Sequence, residues 1–372
     1  GIVLAKNNLA KKCGVKTGQV IWQAKQLCPS LVVLEPHYEE YLYYSQKVRA
    51  VYARYSDRVE PFGMDEAWLE MTGIDGVKTL SDGINAANRL RKDIFEATGL
   101  TVSVGVSDNK TFSKLASDYK KPDAVTLFGP DEYLPVISRL GIGELMYAGR
   151  STQKRLHSFC VETIGDAAHK TNDFFRSILG KSGENLFHNA CGYDAAPVQN
   201  LVYEDIIKSI GNSATTPRDM TDGEDVKILL YALCDKVCAR LRKASLKATV
   251  LQISLRNTEL KVTEKQCGIL PTNHAGTLAE EALALYHRSF PEGLTLRSIG
   301  VRTTGFVKCG EEYQKSLFEA DSDKTEELDK TVDNLRMRYG IHVIRRGVLC
   351  TDKTLYSPLY SEKHLVAPFK SH

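Results

Sequence analysis

A chain of 372 residues is too long for one ordinary hydrophobic core, and roughly two to four domains are expected. Its composition, 42% hydrophobic and 26% charged, is that of a soluble globular protein, and no apolar run nears the roughly 18 to 20 residues that span a bilayer. Net charge is only +3, but residues 311–329 hold eight acids against two lysines, which leaves +9 on the other 353 residues and makes the body compatible with DNA binding. Nine singly placed cysteines without a CxxC pair suit a reducing cytoplasm and argue against a structural zinc site.

Tyr41, Val48, Tyr52 and Tyr55 recur at helical spacing, so residues 37–56 read as a long amphipathic helix. A short strand at Val59, a turn through Pro61 and Gly63 and a strand from Glu66 to Thr72 follow. A helix over about 80–97 aligns Ile84, Ala87, Leu90 and Ile94, before a strand at 101–106. A helix over 109–120 then places Phe112, Leu115, Ala116 and Tyr119 on one face, and a strand at 124–128 closes the unit. This order predicts an α+β layer, a sheet containing antiparallel strands with helices on one face and the other free for substrate. Short helices punctuated by Gly141, Gly143 and Gly149 fill 129–198. Beyond Pro197, strands at 248–256 and 294–306 alternate with helices near 223–243 and 276–289, which suggests a second α+β domain. The end reads as an acidic linker, a charged helix over about 323–339 and a polar tail.

Within PFGMDEAWLE, residues 61–70, two adjacent carboxylates interrupt apolar runs. Taken alone, Asp65 and Glu66 are most simply solvated turn residues. The lysines that follow, Lys110, Lys114, Lys120 and Lys121, also suit the solvated faces and C-terminal end of a helix. Two carboxylates about 4 Å apart repel by about 4 kcal/mol at an effective dielectric near 20, and hard divalent ions such as Mg²⁺ relieve that while binding phosphate oxygens. Two such ions about 3.5 to 4 Å apart activate an attacking hydroxyl and stabilise a leaving pyrophosphate. A third carboxylate for such a site is not evident in the sequence.

PFGMDEAWLE with TVSVGVSDNKTFSKLASDYKKPDAVTLF (residues 101–128) resembles the palm of the Y-family, translesion DNA polymerases, closest to the Gram-positive bacterial UV-damage-repair branch of the DinB and UmuC group. The segment from Val3 to Tyr41 resembles that family's fingers. The resemblance implies a right-hand polymerase: partial fingers at 1–36, palm at 37–128, a helix-hairpin-helix thumb at 129–198, a DNA-binding little finger at 203–308 and a tail at 309–372. It implies that Asp65 and Glu66 are the metal-binding, catalytic carboxylates for two Mg²⁺ ions and that Lys121 touches the triphosphate. Asn8 and Lys11 stand where the family has a Tyr-x-x-Arg pair on the nucleotide, and Lys lacks the bidentate fork of Arg. Asp123-Ala124 stands in place of the usual Asn-Gly after Lys-Pro. The family's remaining metal-binding Asp and its ribonucleotide-excluding aromatic belong to a strand upstream of Gly1. The polypeptide as given is therefore expected to have an incomplete metal site, and full magnesium-dependent primer extension by it would contradict that.

Three further segments fit the resemblance. LMYAGRSTQKRL at 145–156 is similar to a thumb hairpin in which Gly149, Lys154 and Arg155 meet a DNA phosphate, although a plain helix start capped by Ser151 or Thr152 explains it equally well. KSIGNSATT at 208–216 and RSIGVRTTG at 297–305 echo each other, and the resemblance makes Lys208, Ser209, Arg297, Ser298 and Arg302 duplex-backbone contacts. QKSLF at 314–318 resembles a sliding-clamp-binding peptide, with Gln314 anchoring and Leu317 and Phe318 filling an apolar pocket. Isolated in an acidic linker, those apolar residues have no core to join.

The expectation is thus a cytoplasmic, bacterial DNA-directed polymerase for translesion synthesis, whose partners are primer-template DNA, deoxynucleoside triphosphate and a sliding clamp, with no membrane. Two other classes stay open. One is a non-catalytic DNA- and clamp-binding accessory protein, the other a nucleotidyl cyclase with a similar palm.

Overall fold

The computed structural model describes residues 1–133, 135–200, 207–291, 293–309, 322–352 and 354–355. They fall into two compact units, one up to residue 200 and one from residue 207.

The first unit begins with two short helices, α1 (Asn8–Lys12) and α2 (Ile21–Leu27), around a small cluster of Ala10, Val15 and Ala24. The expected long helix is α3 (Tyr38–Tyr52), which buries Val51 against Leu90 and Ile94 while Tyr41, at its start, stays exposed. Strands β1 (Val59–Pro61) and β2 (Ala67–Leu69) pair antiparallel, with Glu60 opposite Trp68. The second strand is much shorter than expected. Its end is turned aside because Ser56 Oγ donates to the Glu70 carbonyl at 2.6 Å and the Glu70 carboxylate accepts from the Thr72 amide at 2.9 Å.

Helix α4 (Leu80–Thr98) is the amphipathic segment expected from its stripe. A Thr79–Asp82 capping box starts it, and Gly99, at φ +72°, ends it in the left-handed conformation that glycine adopts without steric cost. Strand β3 (Val104–Val106) and helix α5 (Lys110–Tyr119) come next. Gly105 is required between them, since a Cβ there would lie 1.9 Å from the Ser113 carbonyl oxygen. The α5 N-terminus is satisfied twice: Asn109 accepts from the Phe112 amide, and Asp194 accepts from both Thr111 N–H and Thr111 Oγ. Strand β4 (Val125–Leu127) pairs parallel with β3. The single mixed sheet that the element order suggests is therefore not formed among the described residues. Two separate strand pairs stand instead, and a Trp68 side-chain hydrogen bond to α5 joins them where strand pairing does not.

Short helices follow as expected: α6 (Pro130–Tyr133), α7 (Arg150–His157), α8 (Ile164–Ala168), α9 (Asn172–Leu179) and α10 (Lys181–Ala190). Their core holds Leu156, Phe175 and Leu186 and takes in the α5 face of Phe112, Leu115 and Ala116.

The second unit holds β5 (Ile210–Met220), α11 (Gly223–Lys243), β6 (Leu246–Asn257), β7 (Val262–Thr272), α12 (Ala275–Ser289), β8 (Leu296–Lys308) and α13 (Ser322–Tyr339). The four strands form an antiparallel sheet in the order β5-β8-β6-β7. Inward side chains such as Leu251, Ile253, Ile299 and Val301 share one core with Leu229, Leu233, Leu278 and Ala282 of α11 and α12.

The charged helix expected over about 323–339 is α13 (Ser322–Tyr339). Helix α13 carries Asp329, which is buried against Arg242 at 3.0 Å, while Asp333 takes the same guanidinium at 2.6 Å. The two partners lie 87 residues apart in the chain, so no local pattern reveals the pair. No helix among the described residues is long and apolar enough to cross a membrane.

Candidate polymerase active site and nucleic-acid interface

The acidic pair sits in the turn between β1 and β2, ahead of the strand rather than at its start. Gly63, at φ +88°, lets the chain reverse, and the Phe62 amide bonds the Glu66 carbonyl at 2.8 Å to close the turn. Helix α3 holds it from outside: Arg49 Nη2 donates to the Gly63 carbonyl at 2.9 Å and Ser45 Oγ to the Met64 carbonyl. Asp65 is left exposed, and no ion pair reaches it among the described residues. Burial, then the fields of Asp65 and Glu66, push the Tyr52 phenol up to about 12, so this hydroxyl stays neutral beside the pair.

Glu66 is differently placed. Its Oε1 lies 3.0 Å from Lys114 Nζ, and Lys114 also meets Asp118 Oδ2 at 2.6 Å. The other Asp118 oxygen takes Lys121 Nζ at 2.6 Å. The row Glu66, Lys114, Asp118, Lys121 thus joins two of the anticipated residues through two that had no assigned role. Burial disfavours charge on Lys114, but its bonds to Asp118 and Glu66 outweigh that and hold its pKa above the ordinary lysine value. Burial likewise opposes the Asp118 carboxylate, and the two lysines overcome it, so its pKa is lowered. The i, i+4 spacing of Lys114 and Asp118 was the available sequence signal.

Asn8 and Lys11 lie on α1, both exposed, and no hydrogen bond or ion pair joins them to the acidic turn among the described residues. Asp123 takes the unusual position after Lys-Pro at φ +51°, which Asp tolerates, and Arg91 grips its carboxylate at 2.8 Å and its carbonyl at 2.9 Å.

Asp65 and Glu66 supply hard oxygen donors, and Mg²⁺ typically takes one or two carboxylates plus substrate phosphates and water. Their chemistry fits that ion. No group of three acidic, His or Cys side chains able to hold a metal exists among the described residues, where the candidate donors are these two.

Elsewhere in the first unit, Gly149 is the N-cap of α7, so neither Ser151 nor Thr152 holds that position. Lys154 and Arg155 are exposed in the last turn, about 8 Å along the axis from Gly149 at 1.5 Å per residue. Arg150, which was not anticipated, is the exposed cation next to Gly149 in the chain.

In the second unit the two Ser-Ile-Gly echoes prove to be neighbours. Strands β5 and β8 pair with Gly211 opposite Arg302, Ser213 opposite Gly300 and Thr215 opposite Ser298. Arg302 and Arg297 are exposed, and Arg297 contacts Asp219 at 3.5 Å. Lys208 is exposed just before β5, and Ser209 beside it is half-buried. Arg256, opposite Ser298 on β6, adds an exposed cation that the echo did not reveal. Gln314, Leu317 and Phe318 lie outside the described residues.

The model of the impB/mucB/samB family matches residues 1–118, and that of the family's C-terminal domain matches 207–317. The chain is 44% identical over 358 residues to the DNA polymerase IV of Acetivibrio thermocellus, covering 95% of this chain and 89% of that protein. It is 34% identical to the DNA polymerase IV of Alkaliphilus oremlandii, covering 94% and 89%. Among solved structures, a Y-family DNA polymerase chimera aligns with a TM-score of 0.72 at 24% identity, covering 83% of this chain and 88% of that one. DinB from Sulfolobus solfataricus aligns with a TM-score of 0.53 at 25% identity, covering 82% and 88%. The fold is that of the right-hand polymerases. The chain belongs to the impB/mucB/samB family of Y-family DNA polymerases.

Proposed function

We infer that the chain is a template-directed DNA polymerase of the translesion type. Its palm (37–128) would carry the chemistry, with fingers at 1–36, a thumb at 129–198, a little finger at 203–308 and a tail at 309–372. The observation that carries this reading is the turn bearing Asp65 and Glu66, tied by Lys114 and Asp118 to Lys121. Asp65 and Glu66 would hold the two magnesium ions, which when bound lower the pKa of the attacking hydroxyl and neutralise the leaving pyrophosphate. Lys121, half exposed, would meet the triphosphate as a point charge, with Lys11 and Asn8 supplying weaker contacts from α1. Positioning and charge neutralisation suffice for such a transfer, so no protein acid or base is needed.

Gly149 with Lys154 and Arg155, and Lys208, Ser209, Arg297, Ser298 and Arg302, would contact primer-template backbone. Such contacts are tolerant of sequence and sensitive to salt. Gln314, Leu317 and Phe318 would dock on a sliding clamp in the cytoplasm. Replacing Leu317 and Phe318 by Ala would abolish clamp binding on this reading, and unchanged affinity would refute it. For the reaction itself, consumption of deoxynucleoside triphosphate should require an annealed primer-template. Turnover without DNA would point to a cyclase-like activity instead.

A further inference from the structure

Asp65 and Glu66 adjoin in the chain but differ in their surroundings. Asp65 is exposed and has no ion pair among the described residues, whereas Glu66 already faces an ammonium group 3.0 Å away. That ammonium belongs to Lys114, whose side chain is only 17% exposed and whose second carboxylate, Asp118, is closer still at 2.6 Å. In the row Glu66, Lys114, Asp118, Lys121, Lys114 is thus the cation held by carboxylates on both sides.

We propose that Lys114 is a stand-in cation for Glu66, occupying that carboxylate in the metal-free protein and withdrawing onto Asp118 when a divalent ion arrives. This rests on the reading of Asp65 and Glu66 as the metal-binding pair. The physical case is one of competition. A divalent ion on Glu66 would sit within a few ångströms of the Lys114 ammonium, and like charges so close repel strongly where solvent is thinned. Lys114 can yield without losing its charge partner, because Asp118 already holds it and the lysine stem is flexible. Before metal arrives, the same contact spares Glu66 from being an unpaired carboxylate at the edge of a core. Asp65 then offers the open carboxylate at which an ion first lands.

The test is Mn²⁺ binding to the full chain, followed by electron paramagnetic resonance, in wild type, Glu66→Gln, Lys114→Met, Lys114→Arg, Asp118→Asn and Lys120→Met. Removing one competing, partly shielded ion pair should tighten Mn²⁺ roughly three- to tenfold in Lys114→Met. Lys114→Arg keeps the charge and should stay near wild type. Asp118→Asn leaves Lys114 with Glu66 alone and should weaken Mn²⁺, so it carries the test in the opposite direction if Lys114→Met folds poorly. Lys120→Met makes the same charge change at the exposed C-terminal end of α5, and it should shift affinity far less. Equal or weaker binding in Lys114→Met, or equal tightening in Lys120→Met, overturns the proposal. Mn²⁺ binding that depends on Glu66 but ignores Lys114 overturns this inference alone. Binding indifferent to Glu66→Gln overturns the metal-site reading with it.

Discussion

Trp68 donates its indole N–H to the backbone carbonyl of Lys110 at 3.0 Å, joining the strand after the acidic turn to the first residue of α5. Its register partner on β1, Glu60, takes the Lys110 ammonium at 3.0 Å, and that ammonium also lies 5.2 Å from the Trp68 ring centre. Both strands flanking Asp65 and Glu66 are therefore fastened to the helix that carries Lys114. Trp68→Phe keeps the ring and loses the bond, and it should lower the stability of the first unit by about 1 kcal/mol. Urea unfolding followed by circular dichroism reads the change. An unchanged midpoint would show that the bond does not fasten the hairpin.

The second unit depends on a buried charge cluster. Arg242 and Asp329 are each 8% exposed, and Arg242 also bonds Asp333 and the Asn273 carbonyl at 2.7 Å. Arg242→Met leaves Asp329 buried without that partner, which should cost about 3 to 5 kcal/mol. The double variant Arg242→Met, Asp329→Leu should recover much of the loss, because the uncompensated charge is gone. Thermal unfolding of the single and double variants measures both, and additive losses would mean that the two residues are uncoupled.

Much of this architecture was legible in the sequence, and its failures have physical causes. Helix α11 reads end to end because Asp222 caps it and its apolar residues recur without interruption. Strand β7 escaped notice. It is an edge strand exposed through most of its length, and Pro271 and Gly268 within it signal a turn rather than a strand. The acidic pair was visible as a motif, but its tie to Lys114 spans 48 residues and only the fold shows it. Asp118 has no motif to mark it, because it serves the lysines Lys114 and Lys121 rather than the acidic turn itself.

Acid sensitivity should have a specific source in the second unit. Asp352 accepts from Thr354 Oγ1 at 2.7 Å and from Arg218 at 3.0 Å, which together hold its carboxyl at about 2, below its ordinary 3.8. A carboxyl depressed on folding adds stability that is full above its unfolded pKa and is lost as pH falls through the folded value. The thermal midpoint should therefore drop between about pH 4 and pH 2, and less steeply in Asp352→Asn. Parallel pH profiles for the two proteins would remove this pair as the cause.

On the sheet of the second unit, Arg302 is exposed opposite Gly211 and Gln252. Arg302→Ala should weaken binding to primer-template of any sequence alike and reduce the slope of log affinity against log salt by about 1. Fluorescence anisotropy across a salt series gives both quantities. An unchanged slope would mean that Arg302 meets no phosphate.

The most direct test is single-nucleotide incorporation on a primer-template with Mg²⁺, using protein expressed from the complete reading frame and its Asp65→Asn and Glu66→Gln forms. If the turn between β1 and β2 is the catalytic site, either substitution should cut the incorporation rate by roughly a hundredfold or more, with DNA affinity little changed. Incorporation at the wild-type rate by both variants would contradict the assignment of this turn as the polymerase active site.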